Sequence, residues 1–579
     1  MSPLRRGLLL VLAVPLALAY ASSARAASPQ PVVGVILAPE ASLGDLLSIP
    51  SVRALAHTGG AGFVSTNVGM EEVLRRQIPA GHLPRESGET PTLTGFTLHP
   101  IPPIGSTGRA AAIEGADREV RTFVSGVGDR PCVVAVSPPT FTPAMIAAKD
   151  ELSPVVLAKG ASCAQLVTPG APRTITSDST RRAGIVAQPD VPFEIDTALG
   201  RTPSLGAEIR PVDAPPPFHL LEKHLANRRM TVPIQTAAGI YVGVAGLFAA
   251  LVLYFRRRLL RWFMVVAAWM TMSVAPLAIA LLAAGRLPTL SYATVVPFVV
   301  IVTIASTLLL DRLHARSVLL VPAAIGVASL VYLAFEALFH WSGALTPFLG
   351  GSELDGGRFF GLPNVYVGLL LGASLYVAQR LSVVWGVILI VAVAFFAGLP
   401  GTGANIGGAL TLFSAAGLWV IVRCRSKLGR AKAIGIAATI GIAGMAAIFA
   451  SHVYLTASPT HGTRFVEGAG RSASGIWDTI AHRLDVGFDL IARNPFALLP
   501  VLGLVVVLFV VLCPTPTIRG SFERHPVWRD AILVIVLGSV VAYVANDSGA
   551  AAVGLGFGLG VGGLLYVPLR EEAGNMESP

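Results

Sequence analysis

Beyond residue 232 the chain is a succession of long apolar blocks separated by short polar stretches. They lie at approximately 233–255, 262–284, 289–310, 317–339, 362–378, 382–399, 406–422, 432–454, 496–513, 530–546 and 549–568. Each runs for about 17–24 residues, the length an α-helix needs to cross a hydrocarbon core of ~30 Å. The pattern predicts an α-helical polytopic membrane protein with about eleven transmembrane helices. Ahead of residue 233 the pattern changes. Pro31–Leu37 (PVVGVIL) and Cys132–Val136 (CVVAV) are short, β-branched and bounded by turn residues, which predicts buried strands. Ser51–His57 and Met70–Arg76 read as helices, and the alternation predicts an α/β sheet domain over 27–232. A proline-rich stretch, Pro211–Pro217, leads from it into the membrane region 233–570, which a short tail, 571–579, follows.

Charge sets the sidedness. Arg5 and Arg6, the apolar run Gly7–Ala19 and the small-residue site Ala24-Arg25-Ala26 together read as a signal peptide over 1–26. With the α/β domain exported, Arg256–Arg258 and Arg261 fall inside, followed by Arg312 and Arg316, then Arg380. Arg423, Arg425, Lys427, Arg430 and Lys432 come next, then Arg519, Arg524 and Arg529, and finally Arg570. The short outer loops carry little beyond Arg286 and Arg358. Signal and loop charge therefore agree on a multi-pass cell-membrane protein whose N-terminal domain is extracytoplasmic and whose C-terminus is cytoplasmic. Composition fits: 53% of residues are hydrophobic and only 13% charged. The net charge of +10 resides largely in loops between apolar blocks, so it points to the lipid bilayer as partner and not to nucleic acid.

Of four cysteines, Cys132 and Cys163 fall in the exported domain and are able to form one disulfide; the sequence leaves open whether they do. Cys424 and Cys513 sit at cytoplasmic helix ends and read as packing residues. His452, His461 and His482 are widely spaced and lack carboxylate neighbours, so no metal and no cofactor is expected. They flank or lie in the long outer loop 455–495, where Ile476, Ile480, Leu484, Phe488 and Ile491 recur at helical spacing. That predicts an amphipathic helix on the membrane surface or capping the bundle.

Polar residues at membrane depth concentrate on the outer side, in three glycine-bearing loops. The first runs from Asp355 through Arg358 to Asn364 (DGGRFFGLPN), the second from Gly398 to Gly408 (GLPGTGANIGG) around Asn405, and the third is Asn546-Asp547-Ser548-Gly549. Glycine-rich backbone approaches a ligand closely or leaves amides free for anions. Charged and amide side chains at this depth are costly unless they pair or face a polar cavity. The expectation is that Asp355, Arg358, Asn364, Asn405, Asn546, Asp547 and Ser548 form one outward-facing substrate site. The competing reading has the Asn and Asp capping helices and the glycines making turns.

Two segments of the exported domain resemble the alkaline phosphatase superfamily. Pro31–Val64 (PVVGVILAPEASLGDLLSIPSVRALAHTGGAGFV) is similar to its opening strand, helix and turn, and Ser179–Gly200 (STRRAGIVAQPDVPFEIDTALG) to its late strand-to-helix passage. The resemblance implies that superfamily's α/β fold. It departs where the chemistry would lie. Ala38-Pro39-Glu40 stands in place of the metal-binding Asp after the first strand, and Ser137-Pro138-Pro139 in place of an Asp-His pair after CVVAV. A two-metal site needs converging carboxylates and imidazoles, so the domain reads as a pseudoenzyme. The loops GGRFFGLPN, GTGANIGG and NDSG also resemble those of uncharacterised bacterial polytopic membrane proteins carrying such a domain.

The function expected is that of a cell-envelope membrane protein handling an extracytoplasmic lipid-linked or glycopolymer substrate, by translocation or transfer. A lipid-linked glycan or anionic lipid is the implied partner. Two alternatives stand beside it. One is a polymerase or ligase of lipid-linked glycans, since the R-F-x-G-x-x-N run before the fifth apolar block resembles part of the O-antigen ligase family's G-x-F-x-N-x-N passage. The other is a non-catalytic membrane scaffold.

Overall fold

In the first strand, β1 (Val32–Leu37), Val32, Val33, Val35 and Ile36 are all buried. A strand covered on both faces belongs to the interior of a sheet, as its continuous apolar run suggests. The computed structural model describes residues 32–38, 41–65, 92–97, 106–137, 152–177, 184–187, 190–198, 207–215, 218–256, 260–338, 362–455, 498–546 and 549–575, with Thr180, Arg258 and Phe348. They fall in two compact units, Met1–Phe218 and His219–Pro579.

The first unit is built on one mixed sheet. Its other strands are β2 (Gly60–Ser65), β3 (Thr92–Thr97), β4 (Cys132–Ser137), β5 (Leu152–Gly160), β6 (Thr174–Ser177), β7 (Ile185–Ala187) and β8 (Ile209–Val212). The order is β3-β1-β4-β5-β2-β6-β8, with β7 also on β2. Strands β3, β1 and β4 are mutually parallel, and β5 reverses direction between β4 and β2. The helices are α1 (Leu43–Ser48), α2 (Pro50–Thr58), α3 (Arg109–Val127) and α4 (Asp190–Ala198). Both predicted strands and the predicted helix Ser51–His57 coincide with β1, β4 and α2; Met70–Arg76 lies outside the described residues. Gly34 decides how α3 packs, because a Cβ there would lie 2.3 Å from the Phe123 ring. Ser42 and Asp45 form a capping box at α1, and Arg109 at the start of α3 pairs with Asp45 at 2.7 Å. Burial pushes the Asp45 carboxyl up, but the hydrogen bonds from Ser42 and Arg109 outweigh it and hold the group below its ordinary range. Cys132 at the head of β4 is disulfide-bonded to Cys163 in the 3-10 turn Cys163–Leu166, with Cα atoms 5.3 Å apart.

The second unit is helical: α5 (Phe218–Tyr254), α6 (Arg261–Met272), α7 (Val274–Ala284), α8 (Tyr292–Asp311), α9 (Leu320–Leu338), α10 (Val365–Ala378), α11 (Val383–Gly398), α12 (Ile406–Leu428), α13 (Arg430–Tyr454), α14 (Leu498–Leu512), α15 (Pro516–Arg524), α16 (Pro526–Ala545) and α17 (Gly549–Asn575). Among the described residues seven helices are long and apolar enough to cross a membrane. They become eight if the pair of α14 and α15, bent by 71°, counts as one span. Two further apolar helices, Tyr366–Ala378 and Val383–Gly398, are shorter. The structure thus gives seven or eight candidate spans where the sequence pattern suggests about eleven. The first helix also begins earlier than its apolar block, at Phe218, and carries Pro233 inside it. The block 262–284 is interrupted at Ser273, just ahead of Pro276, whose ring nitrogen has no proton to donate to the preceding turn.

Contacts between helix ends sort the unit into two ends. At one, Arg423 pairs with Asp530 at 3.1 Å, Arg524 and His525 pair with Glu571 at 2.7 and 2.9 Å, and Arg256 pairs with Glu572 at 3.4 Å. Arg570 and Asp311 pair there too. At the other, Leu362 N donates to Gly403 O at 2.7 Å, His452 Nε2 donates to Gly398 O at 2.9 Å, and Arg286 pairs with Glu336. Consecutive crossings therefore alternate in direction. The basic residues expected inside share one end, and the glycine-bearing second loop lies at the other.

Candidate functional site

Asn405 is the hub of the end opposite the basic rim. It precedes α12, and its Oδ1 accepts from Gly408 N at 2.8 Å, the ordinary work of a helix N-cap. Its Nδ2 does more, donating to Leu362 O at 2.9 Å and to Asn364 Oδ1 at 3.1 Å. An amide is the side chain that offers an acceptor on one side and two donors on the other. Asn405 is 1% exposed, and its bonds to Gly408 N and Leu362 O are shielded from water.

The loop that delivers it is tightly bonded. Gly403 N donates to Phe396 O, Ala404 N to Leu399 O and Asn405 N to Ala397 O, each at 2.8–2.9 Å, and Thr402 Oγ1 donates to Phe396 O at 2.5 Å. Ala404 adopts φ +48°, the one non-glycine residue in the left-handed region among the described residues. Such a conformation costs roughly 1–3 kcal/mol and persists where the surroundings over-determine it, a pattern concentrated at functional sites.

The third loop reaches the same turn. A Cβ at Gly407 would lie 2.5 Å from Ala545 O and 2.6 Å from Asn546 Oδ1, so only bare backbone admits the end of α16. Asn546 is 2% exposed, and its Nδ2 donates to Ala542 O at 2.9 Å within its own helix. Its Oδ1 is buried with no hydrogen-bond partner among the described residues. Asn364, Asn405 and Asn546, drawn from three separate loops, thus surround the first turn of α12. Asp355, Arg358, Asp547 and Ser548 lie outside the described residues.

A second polar group at this end was not singled out from the sequence. Arg286 follows α7 and pairs with Glu336 on α9. Its guanidinium also stands 5.1 Å from the centre of the Tyr332 ring, one helical turn before Glu336. One signal was visible in the sequence: Glu336 is a carboxylate inside an apolar block, where ionisable groups are rare and mark sites by default.

His452 is buried and bonded to a backbone carbonyl; His461 and His482 lie outside the described residues. No group of three or more His, Cys, Asp or Glu able to hold a metal occurs among the described residues. In the first unit, Glu40, Pro138 and Pro139 are also outside the described residues. Two carboxylates of the Ser179–Gly200 segment are buried, and both serve the fold. Asp190 accepts from Ser177 Oγ at 2.6 Å and from Ala207 N at 3.0 Å. Glu194 accepts from Ile209 N and faces Lys159 at 3.4 Å, while Lys159 also reaches Glu208 at 2.6 Å. Burial pushes the Glu194 carboxyl up despite Lys159 and the Ile209 N–H.

Comparison with protein-family profiles, with curated proteins and with solved structures finds no match to this chain.

Proposed function

We propose that the chain is an eleven-span cell-envelope protein whose N-terminal domain and asparagine-bearing end both face outward. At that end it handles an extracytoplasmic lipid-linked or glycopolymer substrate, by translocation or transfer. The observation that carries this reading is the meeting of Asn364, Asn405 and Asn546 at the first turn of α12, with Asn546 Oδ1 buried and without a hydrogen-bond partner among the described residues. A buried acceptor left unmade costs about 1–3 kcal/mol, and nothing in turn-making requires that cost. Amides that accept and donate suit the hydroxyls of a sugar. The three asparagines lie at the end away from the ion pairs of Arg256, Arg423, Arg524 and Arg570, which the positive-inside rule assigns to the cytoplasm. The Cys132–Cys163 disulfide favours an oxidising compartment for the first unit. That unit, alkaline-phosphatase-like and catalytically inactive, acts as a binding or gating module.

The test uses full-length protein in phosphatidylcholine nanodiscs and a polyprenyl-diphosphate-linked sugar as probe. Asn546→Ala, Arg358→Ala and Asp547→Ala are expected to weaken binding while leaving thermal unfolding within a few degrees of wild type. Unaltered binding in all three would refute the site and leave a scaffold in its place.

A further inference from the structure

We infer that the turn between α12 and α13, at the basic end, is a docking surface for anionic phospholipid, whose headgroup phosphates four exposed cations hold at the membrane surface. The inference goes beyond the outward-site reading and does not depend on it, since a turn between two spans meets a membrane surface whichever way the chain inserts. The sequence there, Arg425-Ser426-Lys427-Leu428-Gly429-Arg430-Ala431-Lys432, places four cations in eight residues. Both helices are long and apolar enough to cross a membrane, and they meet at the single residue Gly429, whose φ of +76° turns the chain back. Gly417 lies against Ala437 and Gly444 against the Phe413 ring, so the helices run side by side as an antiparallel pair with the cations at its tip. Arg425, Lys427, Arg430 and Lys432 are all exposed.

The place of these cations at the basic end follows the positive-inside rule; their lack of counter-charges does not. Arg256, Arg423, Arg524 and Arg570 share this end, and each is neutralised in the folded chain by a carboxylate. The four at the turn make no ion pair among the described residues, and the sequence has no Asp or Glu between Asp355 and Glu467 to supply one locally. Helix stability does not explain them either. Arg430 and Lys432 stand in the first turn of α13, where the helix dipole favours acidic side chains. A positive field is therefore left standing at a membrane surface, where each Lys or Arg is worth about a fivefold gain in attraction for anionic lipid. The surroundings match an interface. Leu428 and Ile434 are exposed apolar residues beside the cations. Exposed Trp385 lies near their level, since its neighbour Gly386 packs on Trp419, one turn before Arg423. Trp is enriched at headgroup level, and long cationic side chains there keep their heads among the phosphates. Arg takes two parallel bonds from a phosphate and Lys acts as a point charge. Cations on both sides of Gly429 suit a sheet of headgroups better than one soluble anion.

The test uses the full-length chain with Cys424→Ser, Cys513→Ser and a donor fluorophore on Ser426→Cys. It is reconstituted in phosphatidylcholine vesicles carrying a trace of acceptor-labelled phosphatidylglycerol or, in parallel, of acceptor-labelled phosphatidylcholine. Energy transfer is expected to show phosphatidylglycerol favoured roughly tenfold or more at low salt, with the preference falling several-fold at high salt through screening. Changing Arg425, Lys427, Arg430 and Lys432 together to Gln should abolish the preference. Arg312→Gln with Arg316→Gln removes two exposed cations from another turn at this end and should change it by less than about twofold. All these positions are exposed, so the variants are expected to unfold at the wild-type temperature. Should the fourfold variant fail to fold, Arg430→Gln with Lys432→Gln decides, by lowering the preference about fourfold or more. The inference is overturned if wild type shows no preference, if the fourfold variant keeps it, or if the loss of Arg312 and Arg316 abolishes it, which would leave only the net charge of the end. It is overturned as well if a single-stranded RNA or an acidic peptide displaces the labelled lipid and needs the same four cations, since a soluble polyanion would then be the occupant.

Discussion

Replacing Asn405 by alanine should be among the most damaging single changes at the outward end. The substitution removes an N-cap bond from Gly408 N and two donations, a buried one to Leu362 O and a part-buried one to Asn364 Oδ1. A cap is worth about 1 kcal/mol, and each buried hydrogen bond about 1 kcal/mol net, so Asn405→Ala should cost about 3 kcal/mol. Asn405→Ser restores the cap acceptor but not the two donors, and should recover about 1 kcal/mol of that loss. Asn405→Asp keeps the cap and sets a carboxylate against two oxygens, so it should do no better than serine. The three variants are compared by equilibrium unfolding of the full chain in mixed micelles, followed by the fluorescence of Trp419, which is buried in α12. Asn405→Ala within about 0.5 kcal/mol of wild type, or serine as costly as alanine, would refute the reasoning that three bonds meet at one amide.

Opening the disulfide by Cys132→Ser with Cys163→Ser frees a link across 31 residues and should lower the first unit's stability by about 3.5–4 kcal/mol, read by thermal unfolding with and without reductant. Asp530 is 7% exposed between Arg423 and Arg529, so Asp530→Ala leaves two cations unpaired and should cost about 3–5 kcal/mol; Trp528 fluorescence in denaturant measures it. The pH dependence of the first unit should have two opposed limbs. The lowered Asp45 group supplies stability that is present above its unfolded value near 3.8 and is lost as pH falls through the still lower folded one. The raised Glu194 group acts in reverse, its contribution being full below 4.5 and lost as pH rises through the folded value. Hydrogen exchange at the Ile209 amide, which Glu194 holds, should therefore show Glu194→Gln flattening the limb that falls with rising pH and leaving the limb that falls with acid unchanged.

Much of this architecture is legible in the chain because burial writes a strong pattern. The runs VVGVIL and CVVAV are rich in β-branched valine and isoleucine, and each is a strand with both faces covered. Apolar blocks likewise mark where the second unit is helical. The sheet order was not legible, since Leu152–Gly160 inserts antiparallel between two strands that precede it, and no local pattern specifies a long-range neighbour. The asparagines were visible as amides beside glycines, and Asn405 is indeed a cap, as the competing reading held. What the sequence could not supply was that its other two hydrogens reach Leu362 and Asn364 across the fold. Glu336 was missed because averaging hydropathy over a block hides a single carboxylate whose partner, Arg286, lies fifty residues away.

The central claim, that the asparagine-bearing end faces outward, is tested most directly by thiol labelling in intact cells, with Cys424 and Cys513 first replaced by serine. Gly401 is exposed, and a Cβ there meets nothing within 4 Å, so Gly401→Cys places a thiol at this end without disturbing it. Lys427, also exposed, lies in the last turn of α12, the helix that follows this loop. A membrane-impermeant maleimide should label Gly401→Cys in whole cells and label Lys427→Cys only after the membrane is opened; the opposite pattern would contradict the account.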